Sequence, residues 1–256
     1  MAYPLGSSDP SMLWGGGFGE AKAGVAYPLA MAADPGGISD VTADGSPVAV
    51  YLALPAGDEP QLIHDAVGPG ASILELGCGA GRVTRPLAAM GHPMVAVDNS
   101  PAMLEHVTVA ETVCADITQL DLGRAFDAVL VASHLVNHGD RSWARALLAT
   151  GRRHVGNDGV VLAERWNPAW LASVTVTHRD REVGPVSASF RVIDRRGREL
   201  DAEVTYRLGE RSWTTGPFTA AVVDDDDLAE YAAASDLVLD GWLDGDRTWA
   251  RLHPAS

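Results

Sequence analysis

Cysteine is scarce in this sequence, and long apolar runs are missing from it. Only Cys78 and Cys114 occur among 256 residues, too few for a disulfide framework, and a chain of this length can bury a core without one. No apolar run reaches the ~18 residues that a membrane-spanning helix needs. The N-terminal segment carries Asp9 and Glu20 and has no basic leader before its apolar residues, so a signal peptide is not expected. These absences predict a soluble, cytoplasmic protein without a membrane partner.

Positive charge is also in short supply. The chain has 19 Lys+Arg against 34 Asp+Glu, a formal net charge of −15, and Lys22 is its one lysine. Such a surface repels phosphate, which argues against nucleic acid as a partner. Hydrophobic residues at 46% and charged residues at 21% suffice for a full core, so disorder is excluded as the main state. The expected partner is therefore a small molecule, and the expected oligomeric state is either a monomer or a homodimer.

The length predicts one large domain with an insertion. Residues 1–68 begin rich in Gly, Pro and Ala and end in two short helical patterns, so they are predicted to form an N-terminal helical cover. Residues 69–256 are predicted to form an α/β domain. An antiparallel insertion is expected within it at about 170–222.

Apolar strands alternate with helices from residue 71 onward. The predicted strands are 72–76, 94–97, 112–114, 125–132 and 159–163, and the predicted helices are 82–90, 101–107 and 142–150. This alternation with short loops predicts a doubly wound, mostly parallel sheet. Apolar and polar residues then alternate singly along 186–192 and 200–208, which predicts antiparallel strands, with a third near 211–222. A final strand pair is expected at 237–243 and 248–252.

The most informative segment is a glycine-rich turn between the first strand and the first helix of this pattern. It reads Glu75-Leu76-Gly77-Cys78-Gly79-Ala80-Gly81-Arg82. Glycines permit a tight turn and let a ligand lie against bare backbone. The spacing is GxGxG with an acid two residues upstream, whereas a nicotinamide-binding turn prefers GxGxxG. A nicotinamide oxidoreductase is therefore the weaker alternative.

Acidic residues follow the next two strands. Asp98 stands where a carboxylate can accept hydrogen bonds from both hydroxyls of a ribose. Asp116 and Ile117 follow the third strand, where the carboxylate suits an adenine amino group and the side chain of Ile117 suits the ring face. Each acid also has a plain structural alternative, as a helix cap or an ordinary loop residue.

These segments together resemble the class I S-adenosylmethionine-dependent methyltransferases over roughly residues 71–165. The resemblance implies S-adenosylmethionine as cofactor, with Gly77 and Gly79 facing its methionine part and Met103 packing against the adenine. It places Phe126-Asp127-Ala128-Val129 on the fourth strand of that fold. The full set of expected cofactor residues is Glu75, Gly77, Cys78, Gly79, Gly81, Arg82, Asp98, Asn99, Met103, Asp116, Ile117 and Ser133.

The acceptor is expected beyond the fourth and fifth strands, because ligands of doubly wound sheets bind at the carboxyl ends of strands. His134 and His138 are the candidate catalytic bases, since histidine titrates near neutral pH, and they share a face if their loop is helical. The candidate substrate-binding residues are Tyr51, Glu164, Arg165 and Trp166. The alternative for Glu164 and Arg165 is a simple ion pair between them. The alternative for Trp166 is packing in the core.

The functional hypothesis is methyl transfer from S-adenosylmethionine to oxygen or nitrogen of a small molecule, in specialised metabolism. One alternative uses the same cofactor for another reaction, such as a cyclisation. A second alternative is a non-enzymatic scaffold subunit. No histidine–cysteine spacing indicates a metal site.

Overall fold

The computed structural model describes residues 41–43, 45–175 and 178–255, which form two sheets and seven α-helices. The helices are α1 Val48–Ala53, α2 Glu59–Val67, α3 Thr84–Ala89, α4 Pro101–Leu104, α5 Arg141–His154, α6 Pro168–Ser173 and α7 Asp225–Ala233. The strands are β1 Ile73–Leu76, β2 Met94–Asp98, β3 Glu111–Cys114, β4 Phe126–Val131, β5 Val155–Glu164, β6 His178–Val183, β7 Val186–Arg196, β8 Glu199–Leu208, β9 Arg211–Thr214, β10 Phe218–Ala221, β11 Leu237–Trp242 and β12 Trp249–Pro254.

The larger sheet has seven strands in the order β3-β2-β1-β4-β5-β12-β11. The strands β3, β2, β1, β4 and β5 pair in parallel, and β12 runs antiparallel to both of its neighbours. Leu147 of α5 and Leu228 of α7 are packed in the apolar cluster of one face, and Ile63 of α2 and Leu87 of α3 in that of the other. Continuous apolar strands such as β4 are buried because helices cover both faces. The predicted doubly wound, mostly parallel sheet is confirmed.

The second sheet is the predicted antiparallel insertion. Strands β6, β7 and β8 pair in sequence, and β9 and β10 pair with different halves of β8. Its buried face carries Phe190, Val192 and Val204, which pack with Trp166 and Trp170 from the end of β5 and α6. The single strand predicted over 211–222 is two strands, because residues 215–217 between them include Pro217, which has no N–H for a ladder.

Backbone contacts fasten the second sheet to the carboxyl edge of the first. Gly139, in the loop after β4, donates its N–H to the carbonyl oxygen of Thr219 at 3.0 Å, and a Cβ at position 139 would lie 2.6 Å from the Thr219 side chain. The buried Asn137 donates to Ala221 O at 2.9 Å and accepts from Trp166 N at 2.9 Å. The strand ends of one sheet therefore face the apolar side of the other.

Local boundaries differ modestly from the predictions. The first helix after the glycine turn begins at Thr84 rather than at residue 82, and α5 extends to His154 rather than ending at 150. Arg152 and Arg153 lie in the last turn of α5, where positive charge suits the helix dipole.

The predicted N-terminal cover lies largely outside the described residues, so its first 40 residues stay a prediction. Within the described part, α1 lies over the glycine turn: Tyr51 Cδ1 is 3.5 Å from where a Cβ of Gly79 would be. Among the helices that the structure describes, none is long and apolar enough to cross a membrane.

Candidate active site

A cleft of about 1000 Å³ lies between the carboxyl edge of the large sheet and the buried face of the antiparallel sheet. The glycine turn, α1 and the ends of β4 and β5 form one side of it. Aromatic side chains of the insertion and of the end of β5 form the other: Trp166, Phe190, Tyr206 and Phe218. Pockets for one drug-sized ligand span roughly 300–1,000 Å³. The cleft therefore lies at the upper end of this range.

The glycine turn is held open by its own backbone. Gly77 and Gly79 have φ of +77° and +53°, values that favour glycine. The N–H groups of Gly77 and Cys78 donate to Val97 O at 2.8 and 2.9 Å, and Gly79 N donates to Asp98 Oδ2 at 2.8 Å. Asp98 thus fixes the turn while its carboxylate stays at the end of β2, the position expected of a ribose-binding acid.

The twelve expected cofactor residues divide into two groups. Those that line the cleft are Glu75, Gly77, Cys78, Gly79, Arg82 and Ser133. Those placed beside it, around the ends of β2 and β3, are Gly81, Asp98, Asn99, Met103, Asp116 and Ile117. Gly77 and Gly79 of the first group are the residues expected to face the methionine part of the cofactor, and Asp98, Met103, Asp116 and Ile117 of the second are those expected at its adenosine end.

The second group is packed closely in this structure. Met103 is buried with Val48 and Ala80, so α1 covers the place where an adenine is expected. The exposed Asp116 carboxylate accepts from Thr118 N and Oγ1, both at 2.8 Å, and these hydrogen bonds hold its pKa below the usual value. Ile117 packs at the margin of the main core. Its side chain also approaches Gly77, where a Cβ would lie 3.7 Å from Ile117 Cδ1.

Four charged side chains meet at the floor of the cleft. Glu59 of α2 accepts from Arg82 Nη1 at 2.6 Å, and Glu75 of β1 accepts from Thr84 Oγ1 at 2.6 Å. Glu164, at the end of β5, accepts from Ser133 N at 2.6 Å. The Glu59, Glu75 and Glu164 residues are 7%, 2% and 1% exposed. Arg82 pairs directly with Glu59 and acts on Glu75 and Glu164 through its charge, and we call these four residues the carboxylate cluster.

Burial is the largest influence on the pKa values of the three glutamates in the carboxylate cluster. It raises the pKa of each of the three glutamates from 4.5 to about 7, and for Glu59 the charge of Glu164 raises the pKa further. The guanidinium of Arg82 opposes these shifts without cancelling them. Such values near the operating pH are what a proton-accepting group needs.

The two candidate histidines occupy different surroundings, and the prediction that they share a face is not realised. His134 lies in the cleft with its Nδ1 3.5 Å from Glu164 Oε1 and its ring 5.2 Å from that of Trp166. His138 is exposed at the rim and stacks on Trp143 at 4.5 Å, while its Nδ1 accepts from Asp140 N. A short 3₁₀ turn over Leu135–Asn137 separates them.

Burial also changes the role that His134 can have. It lowers the pKa of His134 from 6.5 to about 3, so the imidazole is neutral at pH 7 and a weak base. Ser133 and His134 both have φ of +58°, a strained region for residues with a Cβ, and such strain concentrates at functional sites. The geometry favours Glu164 over His134 as the proton acceptor.

The predicted substrate residues separate as well. Tyr51, Glu164 and Trp166 line the cleft, whereas Arg165 does not. Successive side chains of an extended chain point to opposite sides. Arg165 is fully buried behind the cleft, where it donates to Val223 O and Arg247 O at 3.0 Å each, pairs with Asp225 and lies 4.1 Å from the Trp242 ring centroid. The substrate role and the simple Glu164–Arg165 ion pair are both corrected by this geometry.

We expect Arg165→Met to destabilise the fold by about 3 kcal/mol and to leave ligand binding unchanged. The substitution leaves the carbonyl oxygens of Val223 and Arg247 without their donor, and an unsatisfied buried acceptor costs about 1–3 kcal/mol. Urea unfolding measures the change. The control is Arg247→Ala, which removes an exposed partner of the same Asp225 and should cost under about 1 kcal/mol. Equal losses in the two variants would contradict the structural role of Arg165.

Sequence reasoning missed Glu59, Asn137 and Tyr206. An acid at the start of a helix is common because the dipole favours it, so Glu59 carried no separate signal. Asn137 joins three elements that are distant in sequence. Burial and the neighbouring Tyr51 raise the pKa of Tyr206, and that contact links the insertion to α1. Each role depends on tertiary neighbours.

Comparison with known families gives one match. Residues 73–159 match the family model described as a methyltransferase domain. This segment runs from β1 into β5 and contains the glycine turn, Asp98 and Asp116. No curated protein matches the sequence.

Solved structures share the fold across most of the chain. The CcbJ methyltransferase from Streptomyces caelestis is 18% identical with a TM-score of 0.68, covering 86% of this chain and 100% of that one. The sugar N-methyltransferase KedS8 from a Streptoalloteichus species is 20% identical with a TM-score of 0.64, covering 88% and 99%. A S-adenosylmethionine-dependent methyltransferase from Clostridium acetobutylicum is 15% identical with a TM-score of 0.67, covering 81% and 95%. At these identities the likeness establishes the fold.

Proposed function

We propose that this protein is a class I S-adenosylmethionine-dependent methyltransferase, which the match of residues 73–159 to a methyltransferase domain supports, and that it methylates an oxygen or nitrogen atom of a small molecule bound in the cleft. The observation that carries the proposal is the position of the cleft. It joins the glycine turn on one side to a wall of aromatic side chains on the other, and it is roofed by the insertion. A roofed cleft suits a small acceptor better than a polymer.

The residues at the glycine turn fit the cofactor chemically. S-adenosylmethionine supplies an electrophilic methyl group on a sulfonium, and the molecule also carries an ammonium and a carboxylate. Glu75 of the carboxylate cluster offers negative charge to the cationic groups, and Asp98 offers carboxylate oxygens to ribose hydroxyls. Met103 and Ile117 offer apolar surface for the adenine. This donor set supports the cofactor assignment.

The aromatic wall supports an acceptor with a flat or ring-shaped apolar part. Trp166 lies 6.1 Å from Phe190 and 6.5 Å from Phe218 between ring centroids, so the three rings pack as one aromatic cluster that borders the cleft. KedS8, which shares the fold, is a sugar N-methyltransferase. A ring-shaped acceptor is consistent with the same surface here.

The chain's own contribution to transfer is placement and proton removal. The walls of the cleft hold the acceptor beside the end of β4, which orders the two reactants in one site. Glu164, fixed by Ser133 N, is placed to accept the proton that the acceptor loses.

Isothermal titration with S-adenosylmethionine and with S-adenosylhomocysteine tests the first step. We expect both to bind with one site per chain, and we expect a panel of small alcohols and amines to include compounds that gain one methyl by mass spectrometry. Loss of methylthioadenosine from the cofactor instead would indicate a cyclisation. Absence of binding for both nucleosides at millimolar concentration would overturn the proposal.

A further inference from the structure

We propose that the methyl acceptor is an amine, bound as its ammonium form between Glu59 and Glu164, and that Glu164 takes the proton before transfer. This inference rests on the proposed function and names the substrate class of the same site. It begins from the charges in the cleft. Glu59, Glu75 and Glu164 carry three negative charges when ionised. Arg82 carries one positive charge, so the net charge of the four side chains is then −2.

The cofactor accounts for one of these charges. Its sulfonium and ammonium outweigh its carboxylate by one positive charge, so a ternary site with all three glutamates ionised keeps one negative charge without a cation. Buried charges are stable only when paired. An ammonium on the acceptor supplies the missing cation, whereas a hydroxyl does not.

The two glutamates that would hold the ammonium stand outside the matched methyltransferase segment. Glu59 precedes residue 73 and Glu164 follows residue 159, so neither belongs to the shared cofactor machinery. They come from α2 and from the end of β5, and the charge of each is felt by the other. Tertiary folding alone brings them to one place.

Two residues that line the cleft each have a buried polar atom without a hydrogen-bond partner in the described chain. The indole N–H of Trp166, a residue nine-tenths buried, has no hydrogen-bond acceptor among the residues that the structure describes. His134 Nδ1 is likewise buried without a hydrogen-bond partner in the described chain, 3.5 Å from Glu164 Oε1. An amine that carries a nearby hydroxyl or ether oxygen satisfies both: the nitrogen donates to His134 and the oxygen accepts from Trp166.

The proton balance of the step is simple. The ammonium transfers one proton to a carboxylate oxygen of Glu164, which becomes a neutral carboxyl, and the nitrogen regains its lone pair. That lone pair forms the new N–C bond to the methyl group as the C–S bond breaks, and the C–S electron pair remains on sulfur. His134 stays neutral throughout, because burial keeps its pKa at about 3, so it does not repel the ammonium.

A pair of probes tests the substrate class. 2-Amino-1-phenylethanol and 1-phenylethane-1,2-diol share the ring and one hydroxyl and differ in the amine. With S-adenosylhomocysteine present, we expect the amine to raise the melting temperature and to bind at least tenfold more tightly than the diol by calorimetry. Equal binding of the two probes, or binding of neither, would overturn the inference.

Variants test the site. Glu59→Gln and Glu164→Gln should each weaken amine binding by at least tenfold and leave the diol unaffected, and Glu164→Gln should also lower turnover of a methylated amine by 10²–10⁴-fold. Retained binding of S-adenosylhomocysteine shows that the variants are folded. Glu111→Gln is the matched control, because Glu111 also pairs with an arginine, Arg124, but at the exposed surface.

The outcomes separate this inference from the proposed function. If S-adenosylhomocysteine binds and only hydroxyl compounds gain methyl groups, the enzyme is a methyltransferase and the amine assignment is wrong. If amine binding persists unchanged in both glutamine variants, the site is wrong. If S-adenosylhomocysteine does not bind, the proposed function itself is wrong.

Discussion

Replacing Asp98 with alanine is expected to weaken binding of S-adenosylhomocysteine by at least about 100-fold. A hydrogen bond to a charged group contributes about 1.5–3 kcal/mol, and about 2.7 kcal/mol corresponds to a factor of 100. The substitution removes two functions of the Asp98 carboxylate. Its Oδ2 accepts from Gly79 N and so shapes the glycine turn, and its carboxylate is the expected partner of the ribose hydroxyls. Calorimetry measures the change directly.

Two further variants give this experiment its controls. Asp98→Asn keeps one acceptor oxygen and should lose only about tenfold, because one charged hydrogen bond is replaced by a neutral one. Asp127→Ala removes a similar capping acid, which accepts from Ser72 N and Oγ at 2.8 and 2.7 Å at the opposite edge of the same sheet. It should leave nucleoside binding unchanged. Unaltered affinity in Asp98→Ala would contradict the assignment of the adenosine end.

The second large effect is on stability: the free energy of unfolding of the unliganded protein should fall by several kcal/mol between pH 5 and pH 8. Glu59, Glu75 and Glu164 have pKa values near 7 when folded and 4.5 as the reference. The folded state therefore binds more protons than the unfolded state between these values, and stability falls as the pH rises. A shift from 4.5 to about 7 amounts to roughly 3 kcal/mol for each carboxyl.

Other groups act in a different pH range or in part against this trend. Burial lowers the pKa of His134 from 6.5 to about 3, so its contribution to stability is present above pH 6.5 and is lost as the pH falls. Below pH 6.5 the effect of His134 on the free energy of unfolding is opposite in sign to that of the glutamates, and one group then acts against three. The charges of Arg82, Asp98 and Asp244 also act on the cluster. The aspartates with lowered pKa values, such as Asp201, contribute only below about pH 4.

Urea unfolding across this pH range provides the measurement. Glu164→Gln should match the wild type at pH 5, where the carboxyl is protonated, and exceed its stability at pH 8, where the wild type holds a buried charge. Glu230→Gln serves as the surface control, because Glu230 is exposed and paired with Arg145. A wild-type stability that rises from pH 5 to pH 8 would contradict the buried carboxylate cluster.

The parallel sheet and the cofactor turn were predictable because their signals are local. A buried parallel strand such as β4 is continuously apolar, and a turn that needs positive φ shows its glycines in the sequence. The antiparallel insertion was predictable for the same reason, since residues facing its core alternate along β7 and β8. These patterns depend on neighbours within a few residues.

The acceptor side was less predictable because it is assembled from distant segments. Glu164 and Arg165 are adjacent in sequence, yet one enters the cleft and the other is buried behind it among Val223, Asp225 and Trp242. His134 is a histidine of ordinary appearance in the sequence, and burial makes it a poor base. Desolvation depends on the whole surroundings of a group, so residue type alone does not set its pKa.

The sequence by itself therefore determined the α/β class, the antiparallel insertion, the glycine turn and the acids Asp98 and Asp116 that follow the strands. Only the tertiary structure placed Glu59 beside Arg82 and Glu164, separated His134 from His138, and turned Arg165 away from the cleft. The physical reason is the range of the forces involved. Backbone conformation and strand burial are set by local composition, whereas buried charge is set by contacts between segments far apart in the chain.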